Sequence, residues 1–248
     1  MKISFSDKDI MSLLNHVFGD EIDSSNEEYP VVKKQSVRIK EINVFDFKSQ
    51  YKSLKSSLHR VPRRVDIIHY SELYDLAPVV CCGYLRFLKE LGDITANEEL
   101  LLGSDAELFI QFIEDLNMNK ASKIPVIKAF FKNGTLQEYI TSEDLYESCK
   151  NYYFEDYRRR DLCLIGNVDY EHSTTHDYLQ WARHNPYRYL TESKGNWFYY
   201  REDGNLALSN RVLAYKDNIT FLNQFYDALE YRSERYFYRN KLKQRGGV

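Results

Sequence analysis

The stretch at residues 217–243, DNITFLNQFYDALEYRSERYFYRNKLK, constrains the fold of this chain more than any other. Its apolar side chains recur every three or four residues, which places them on or near one face of a helix. The members of this stripe are Ile219, Leu222, Phe225, Tyr226, Leu229, Tyr236 and Phe237. The pattern predicts a long amphipathic helix within residues 214–248, and such a helix gains most of its stability by packing that face against other elements.

The N-terminal part, residues 1–95, is also expected to be helical. Ser6 can cap a first helix, and a short strand is expected around Val37 and Ile39, where apolar and charged residues alternate. Helical spacing resumes in FDFKSQYKSLKSSLHR, and Pro62 is expected to interrupt that helix. The apolar stretch LAPVVCCGYLRFLKEL predicts a further, strongly buried helix.

Residues 96–213 are predicted to hold several helices followed by one β-hairpin. The first main helix is expected to bury a stripe of Leu108, Phe109, Phe112, Ile113 and Leu116. A short helix in KIPVIKAFFKNG is expected to end at Asn133-Gly134, and Thr141 begins the next. Ser173 or Thr174 is expected to cap HDYLQWARHNP, whose continuation Pro186 should limit.

The stretch WFYYREDGNLALS carries the clearest strand signal in the chain. Two runs of strand-forming residues flank Asp203-Gly204, a pair favoured in tight hairpin turns. Helices followed by a two-stranded wing are typical of a winged-helix unit. The predicted fold is therefore mostly α, with a helical N-terminal part, a winged-helix-like unit over 96–213 and a long C-terminal helix. The alternative is a helical domain whose hairpin only covers one edge of the core.

Composition indicates a folded cytoplasmic protein. Apolar residues make up 43% of the chain, which is sufficient for a proper core, and charged residues make up 29%, as is usual for a folded protein. No apolar run approaches the roughly 18 residues of a membrane span, and the N-terminus lacks a signal-peptide core. The four cysteines, Cys81, Cys82, Cys149 and Cys163, show no CxxC spacing, which favours free thiols in a reducing compartment.

No complete catalytic signature is present, so we expect a non-enzymatic protein without a cofactor. GxSxG, GxxxxGK[ST] and GxGxxG motifs are all missing from the sequence. A weak metal-site candidate consists of Asp169, His172 and His176, because the two histidines have the four-residue spacing of one helix face. A cap at Ser173 or Thr174 would leave His172 outside the helix, which favours a solvated helix start instead.

Nucleic-acid binding is the best-supported positive hypothesis from the residues. Net charge is −3 overall, but residues 151–248 hold 15 basic against 13 acidic side chains and interleave arginines with aromatics. The expected phosphate contacts are Arg158, Arg159, Arg160, Arg183, Arg188 and Arg201, with Trp181 and Tyr187 as stacking groups. The alternative is that acidic neighbours neutralise these arginines and that most of the aromatics belong to a core.

The order of several segments resembles the C-terminal accessory region of bacterial DEAD/DEAH-type superfamily II helicases. The segments are VPRRVDIIHYSELYDLAP, GYLRFLKELGDI, KIPVIKAFF, NPYRYL and NWFYYREDGNLAL, within about residues 45–213. The resemblance implies a domain that lies beside a helicase motor and contacts nucleic acid or a partner subunit. ATPase motifs would belong to another part of the protein, and the resemblance supplies no catalytic residue.

Three functional hypotheses follow from the sequence. The first is a non-catalytic accessory module of a helicase-type or DNA-processing assembly, which binds nucleic acid weakly. The second is an interaction scaffold, in which the aromatic helix from Asp217 docks a partner or a second copy of the chain. The third is a metal-dependent hydrolase that uses the Asp169, His172 and His176 candidate. None of the three involves a membrane.

Overall fold

The computed structural model describes residues 44–70, 77, 81, 83–163 and 168–245, without the side chains of residues 44–47, 163 and 239–245. The helix expected after Ser6 and the strand expected around Val37 and Ile39 lie outside these residues. The chain divides into two units, Met1–Asp93 and Ile94–Val248. Within the described parts of the chain, no helix combines the length and the apolar content that a bilayer crossing requires.

The described helices of the first unit are α1 (Val44–Leu58), α2 (Arg64–His69) and α3 (Tyr84–Leu91). Pro62 lies in the break between α1 and α2, as expected, because its ring and missing N–H disfavour a helix interior. Tyr51 is buried, and its ring packs edge-on against Phe87 with centroids 5.2 Å apart. Its hydroxyl donates to Asp93 Oδ2 at 3.1 Å, so this buried phenol is satisfied within the unit.

The second unit contains nine α-helices and five short strands among its described residues. The helices are α4 (Ala96–Glu99), α5 (Asp105–Glu114), α6 (Lys123–Lys128), α7 (Ser142–Tyr152), α8 (Asp156–Cys163), α9 (Thr175–Ala182), α10 (Arg188–Thr191) and α11 (Asn210–Leu213), followed by the C-terminal α12 (Ile219–Arg245). A π turn, Arg183–Tyr187, joins α9 to α10. The strands are β1 (Phe131–Lys132), β2 (Thr135–Leu136), β3 (Tyr139–Ile140), β4 (Phe198–Tyr200) and β5 (Leu206–Leu208).

The strands form two antiparallel sheets. The predicted hairpin around Asp203-Gly204 is confirmed as β4 and β5, with Tyr199 opposite Ala207. The hairpin gains a third strand, since β3 pairs with β5 and gives the order β3-β5-β4. The strands β1 and β2 form a second small hairpin in which Phe131 lies opposite Leu136.

That second hairpin corrects the expectation of one helix running to Asn133-Gly134. The helix α6 ends at Lys128, and β1 and β2 follow. Asn133 and Gly134 have φ values of 54° and 79°, so both occupy the left-handed region that a type I′ hairpin turn requires. Asn-Gly is the residue pair most favoured for that turn, so the local sequence carried the signal.

The long C-terminal helix is confirmed, and it packs against α5. Phe109 of α5 is the centre of this contact, with its ring centroid 5.6 Å from that of Phe225 and 6.3 Å from that of Phe221. Phe109 also meets Trp197 beside the hairpin, at 5.4 Å. One aromatic cluster therefore joins α5, α12 and the residues around β4, and it forms the core of the second unit.

Two details of the predicted stripes are wrong. Ile219 is 74% exposed, because it is the first residue of α12 and precedes the buried face that Phe221 begins. Leu108 is 46% exposed, whereas Ala106 and Ile110 of the same helix are buried. The sequence indicated amphipathic helices at both places, but it did not fix which face meets the neighbouring elements.

Candidate nucleic-acid interface

The helix α9, the π turn and α10 form one continuous helical segment, the 175–191 helix. Thr174 is its N-cap, and a reciprocal capping box links the Thr174 hydroxyl and backbone to Asp177. Hydrogen bonds from the Thr174 backbone N–H and hydroxyl lower the pKa of Asp177. The prediction of a cap is thus confirmed at Thr174, while the Ser173 hydroxyl accepts from the Asp169 backbone N–H at 2.8 Å.

Pro186 does not end this helix, which corrects the sequence prediction. A proline ring in an ordinary α-helix clashes with the carbonyl four residues earlier, and it offers no N–H to that carbonyl. Here Pro186 lies inside the wider π turn, and the flanking residues Arg183 and Arg188 both keep α-helical backbone angles. The helix therefore continues to Thr191, and Arg183 and Arg188 are carried by the same segment.

One side of the 175–191 helix belongs to the core. Tyr178 and Tyr187 are each 0% exposed, and Trp181 is 9% exposed. The expectation that Trp181 and Tyr187 stack on bases is therefore wrong for this conformation, since neither ring has a face open to a ligand. The burial fixes the helix in place, because aromatic side chains supply much of the stabilisation of a core.

The opposite side of the same helix is polar and open. His176, Gln180, Arg183, His184 and Arg188 are all exposed. His176 and Gln180 pair through their side-chain nitrogens at 2.8 Å. Sequence reasoning missed Gln180 and His184, although four of these residues recur at four-residue intervals along the chain, which is the signal that could have found them.

The positive charges of Arg183 and Arg188 are offset little by neighbouring carboxylates, so both side chains are available to an external partner. Arg183 Nη2 donates to the Gly204 carbonyl oxygen at 3.4 Å and makes no ion pair among the described residues. Arg188 reaches Glu192 only at 4.0 Å between exposed side chains, an arrangement of little energetic value. Both guanidinium groups can therefore exchange their solvent contacts for phosphate oxygens.

The hairpin lies directly beside this helix. The contact between Arg183 and Gly204 joins the helix to the hairpin turn, and the rings of Tyr187 and Tyr200 lie 6.3 Å apart. Tyr199 and Tyr200 expose 41% and 44% of their surface, so the hairpin offers two aromatic side chains that sequence reasoning did not select. Exposed tyrosines next to cations suit contacts with sugars and bases.

Arg201 is less available than its position suggests. Its guanidinium lies 3.3 Å from Glu138 and 3.3 Å from Asp203, and it stacks 4.0 Å over the Tyr139 ring. Two carboxylates thus offset the charge at the tip of the hairpin. A phosphate would have to compete with both of them.

The three consecutive arginines of α8 have different surroundings. Arg158 turns inward, where Nη2 pairs with Glu234 at 3.2 Å and the guanidinium lies 4.8 Å from the Tyr152 ring centroid. Arg159 pairs with Glu171 at 3.3 Å and donates to the Phe154 carbonyl at 2.7 Å. Arg160 is exposed. Among the three, only Arg160 is open without competition from a carboxylate in the described part of the chain.

The metal candidate is not assembled. His172 Nδ1 lies 2.8 Å from Asp169 Oδ1, and both side chains are largely exposed ahead of the helix. His176 is inside the helix and pairs with Gln180 instead. In the residues that the structure describes, no group of three or more histidine, cysteine, aspartate or glutamate side chains could hold a metal ion.

The chain matches no protein-family model, and neither the curated proteins nor the solved structures give a match. The helicase-region resemblance therefore stays a prediction from the sequence.

Proposed function

We propose that this chain is a cytoplasmic, non-catalytic nucleic-acid-binding module that grips the phosphate backbone through the open side of the 175–191 helix. One observation carries the proposal. Arg183 and Arg188 are exposed on a helix whose other side packs in an aromatic core. Among the described residues, Arg183 contacts only a carbonyl oxygen, and the ion pair of Arg188 with Glu192 is long, at 4.0 Å. A rigid helix with exposed cations that have at most a weak ion pair suits phosphate contacts, which position a protein without reading sequence.

The order of elements supports a winged-helix arrangement for this binding. The strand β3 precedes α7 and the 175–191 helix, which pack together, and the hairpin β4–β5 follows. The first strand pairs with the second strand of the hairpin, so the order is β3-β5-β4. In such an arrangement the 175–191 helix would contact one groove or strand of nucleic acid while Tyr199 and Tyr200 contact its flank.

A helicase motor or another subunit of a DNA-processing assembly is the partner we propose, on the strength of the resemblance over about residues 45–213. The scaffold alternative is less well supported. The face of α12 that a partner would have to contact already holds Phe221, Phe225 and Leu229 in the core of the second unit.

The test is a salt titration of DNA binding. Fluorescence anisotropy of labelled single- and double-stranded oligonucleotides measures the affinity at each salt concentration. We expect weak binding at about 50 mM salt, in the micromolar to submillimolar range of non-specific complexes. Each phosphate neutralised should contribute about 0.9 to the slope of log affinity against log salt on duplex DNA. Arg183→Gln with Arg188→Gln should reduce the slope by about two and weaken binding uniformly across sequences.

A charge-matched control separates this surface from general electrostatics. Arg211 and Lys216 are exposed but pair with Asp105 and Asp217. The double change Arg211→Gln with Lys216→Gln removes the same formal charge, and it should leave the slope unchanged. Absence of binding to either form of DNA at about 50 mM salt, or an equal loss in the control, would refute the proposal.

A further inference from the structure

A cleft of about 310 Å³ opens in the second unit between α6, α7 and α12. Its walls include Lys128, Ser148, Asn151, Tyr152, Arg158 and Tyr226. The volume is at the lower end of the range for small-molecule sites. The lining mixes aromatic rings with polar groups, three cations (Lys128, Lys132 and Arg158) and two carboxylates, so the cleft is polar rather than a gap in an apolar core.

Lys128 is the unusual group in this cleft. Its ammonium lies 5.0 Å from the Tyr226 ring centroid and 5.7 Å from that of Tyr152, but it makes no ion pair or hydrogen bond with any residue that the structure describes. Burial, and next the positive charge of Arg158, lower the pKa of Lys128, against the opposing influence of Glu230 and Glu234. A half-buried ammonium that contacts ring faces and forms no ion pair with a described residue is a group that a bound anion would stabilise.

Arg158 supplies a second cation beside it. The guanidinium pairs with Glu234 at 3.2 Å and lies 4.8 Å from the same Tyr152 ring that Lys128 approaches. Its Nε is buried without a hydrogen-bond partner among the described residues. Glu230 and Glu234 both influence the Lys128 ammonium, and Glu234 pairs with Arg158 rather than with Lys128.

The remaining charges of the lining do not compensate Lys128. Lys132 Nζ and Asp144 Oδ1 lie 2.5 Å apart and neutralise each other. Glu147 is exposed at the rim and raises the pKa of Lys132 rather than reaching Lys128. Asn151 is exposed as well, so its side-chain amide can turn to donate a hydrogen bond to a ligand.

We propose that this cleft binds a small molecule through a phosphate or carboxylate group, which pairs with Lys128 and accepts a hydrogen bond from Asn151. The anion relieves the repulsion between Lys128 and Arg158, and the Tyr226 ring forms one wall for the rest of the ligand. The volume excludes a nucleic-acid duplex. The inference is independent of DNA binding, because none of its residues belongs to the 175–191 helix.

The experiment uses the full chain with inorganic phosphate as one probe and acetate as the other, at constant ionic strength. Isothermal titration calorimetry measures affinity, and NMR of protein labelled at lysine Cε follows the titration of Lys128. Binding should raise the pKa of Lys128, since a bound anion favours the ammonium form. Lys128→Met keeps the apolar stem but removes the charge, and it should weaken phosphate binding about tenfold or more.

Lys123→Met is the matched control on the same helix. The Lys123 ammonium donates to the Asn117 carbonyl at 2.7 Å, and it is absent from the cleft lining. This variant should bind phosphate as the unchanged protein does. The inference is overturned if neither probe shifts the Lys128 titration, or if Lys123→Met loses binding to the same extent as Lys128→Met. Binding of one probe alone identifies which of the two anions the cleft accepts.

Discussion

The hydroxyl groups of Tyr152 and Ser233 lie 2.8 Å apart in the interior, and they link α7 to the C-terminal helix α12. Both side chains are buried, with 3% and 1% of their surface exposed. Burial is also the main reason that the pKa of the Tyr152 phenol is raised, so the group stays a neutral hydrogen-bonding partner. The pair gives α12 a polar anchor within a mainly aromatic contact.

Breaking this pair from one side should be more harmful than removing it altogether. Ser233→Ala leaves the Tyr152 hydroxyl buried without its partner and should lower the free energy of unfolding by about 1–3 kcal/mol. Adding Tyr152→Phe should recover part of that loss, because both polar groups are then gone. Urea denaturation of the four proteins in the double-mutant cycle measures the coupling. Additive losses would show that the two hydroxyls do not depend on each other.

Asp144 should make stability depend on pH in the acid range. Burial alone would raise its pKa, but hydrogen bonds from Lys132 and Thr141 outweigh this and lower the pKa below the ordinary value of 3.8. The stabilisation is therefore complete above 3.8 and is lost as the pH falls towards the folded-state pKa. Asp144→Asn should cost about 1–2 kcal/mol near neutral pH, and the difference from the unchanged protein should shrink in acid.

Glu143→Gln is the control for this pH dependence. Glu143 is an exposed carboxylate in the same first turn, and it accepts a hydrogen bond from the Ser142 hydroxyl at 2.9 Å. In urea titrations at matched pH, Glu143→Gln should lower the free energy of unfolding less than Asp144→Asn does. If the difference in unfolding free energy between Asp144→Asn and the unchanged protein stayed constant through the acid range, Asp144 would not be the source of the pH dependence.

Gly195 and Gly103 should respond differently to the same substitution. Both have a positive φ, 97° and 74°, so an alanine is strained at either site. A Cβ at Gly195 would also lie 2.3 Å from Trp197 Nε1, whereas nothing lies within 4 Å of one at Gly103. Gly103→Ala should cost about 1 kcal/mol, and Gly195→Ala clearly more because the buried Trp197 must move. Thermal unfolding followed by tryptophan fluorescence measures the loss of stability in both variants. Equal losses would show that Trp197 moves aside without an energetic cost.

The cap of the 175–191 helix should contribute measurably to stability. Thr174→Ala removes the hydroxyl side of the capping box with Asp177 and should lower the free energy of unfolding by about 1 kcal/mol. Thr174→Ser retains a hydroxyl at the same place and should stay close to the unchanged protein. Chemical denaturation distinguishes the two variants. Similar losses in both would point to the threonine methyl group rather than to the cap.

Features that depend on residues a few positions apart could be read from the sequence. The caps at Thr141 and Thr174 and the hairpin turn at Asp203-Gly204 are set by local hydrogen bonds and backbone preferences. The long amphipathic helix likewise follows from the spacing of its apolar residues. The hairpin at Asn133-Gly134 belongs to the same class, although a helix was predicted there.

The accessibility of each arginine and aromatic side chain was decided only by the tertiary structure. Arg158 turns inward because Glu234, 76 residues further along the chain, comes to lie beside it. Trp181 and Tyr187 are buried because the 175–191 helix turns that side towards the core, while Arg183 and Arg188 on the same helix stay open. Local spacing places residues on a helix, but the packing of distant segments determines which of its sides meets solvent.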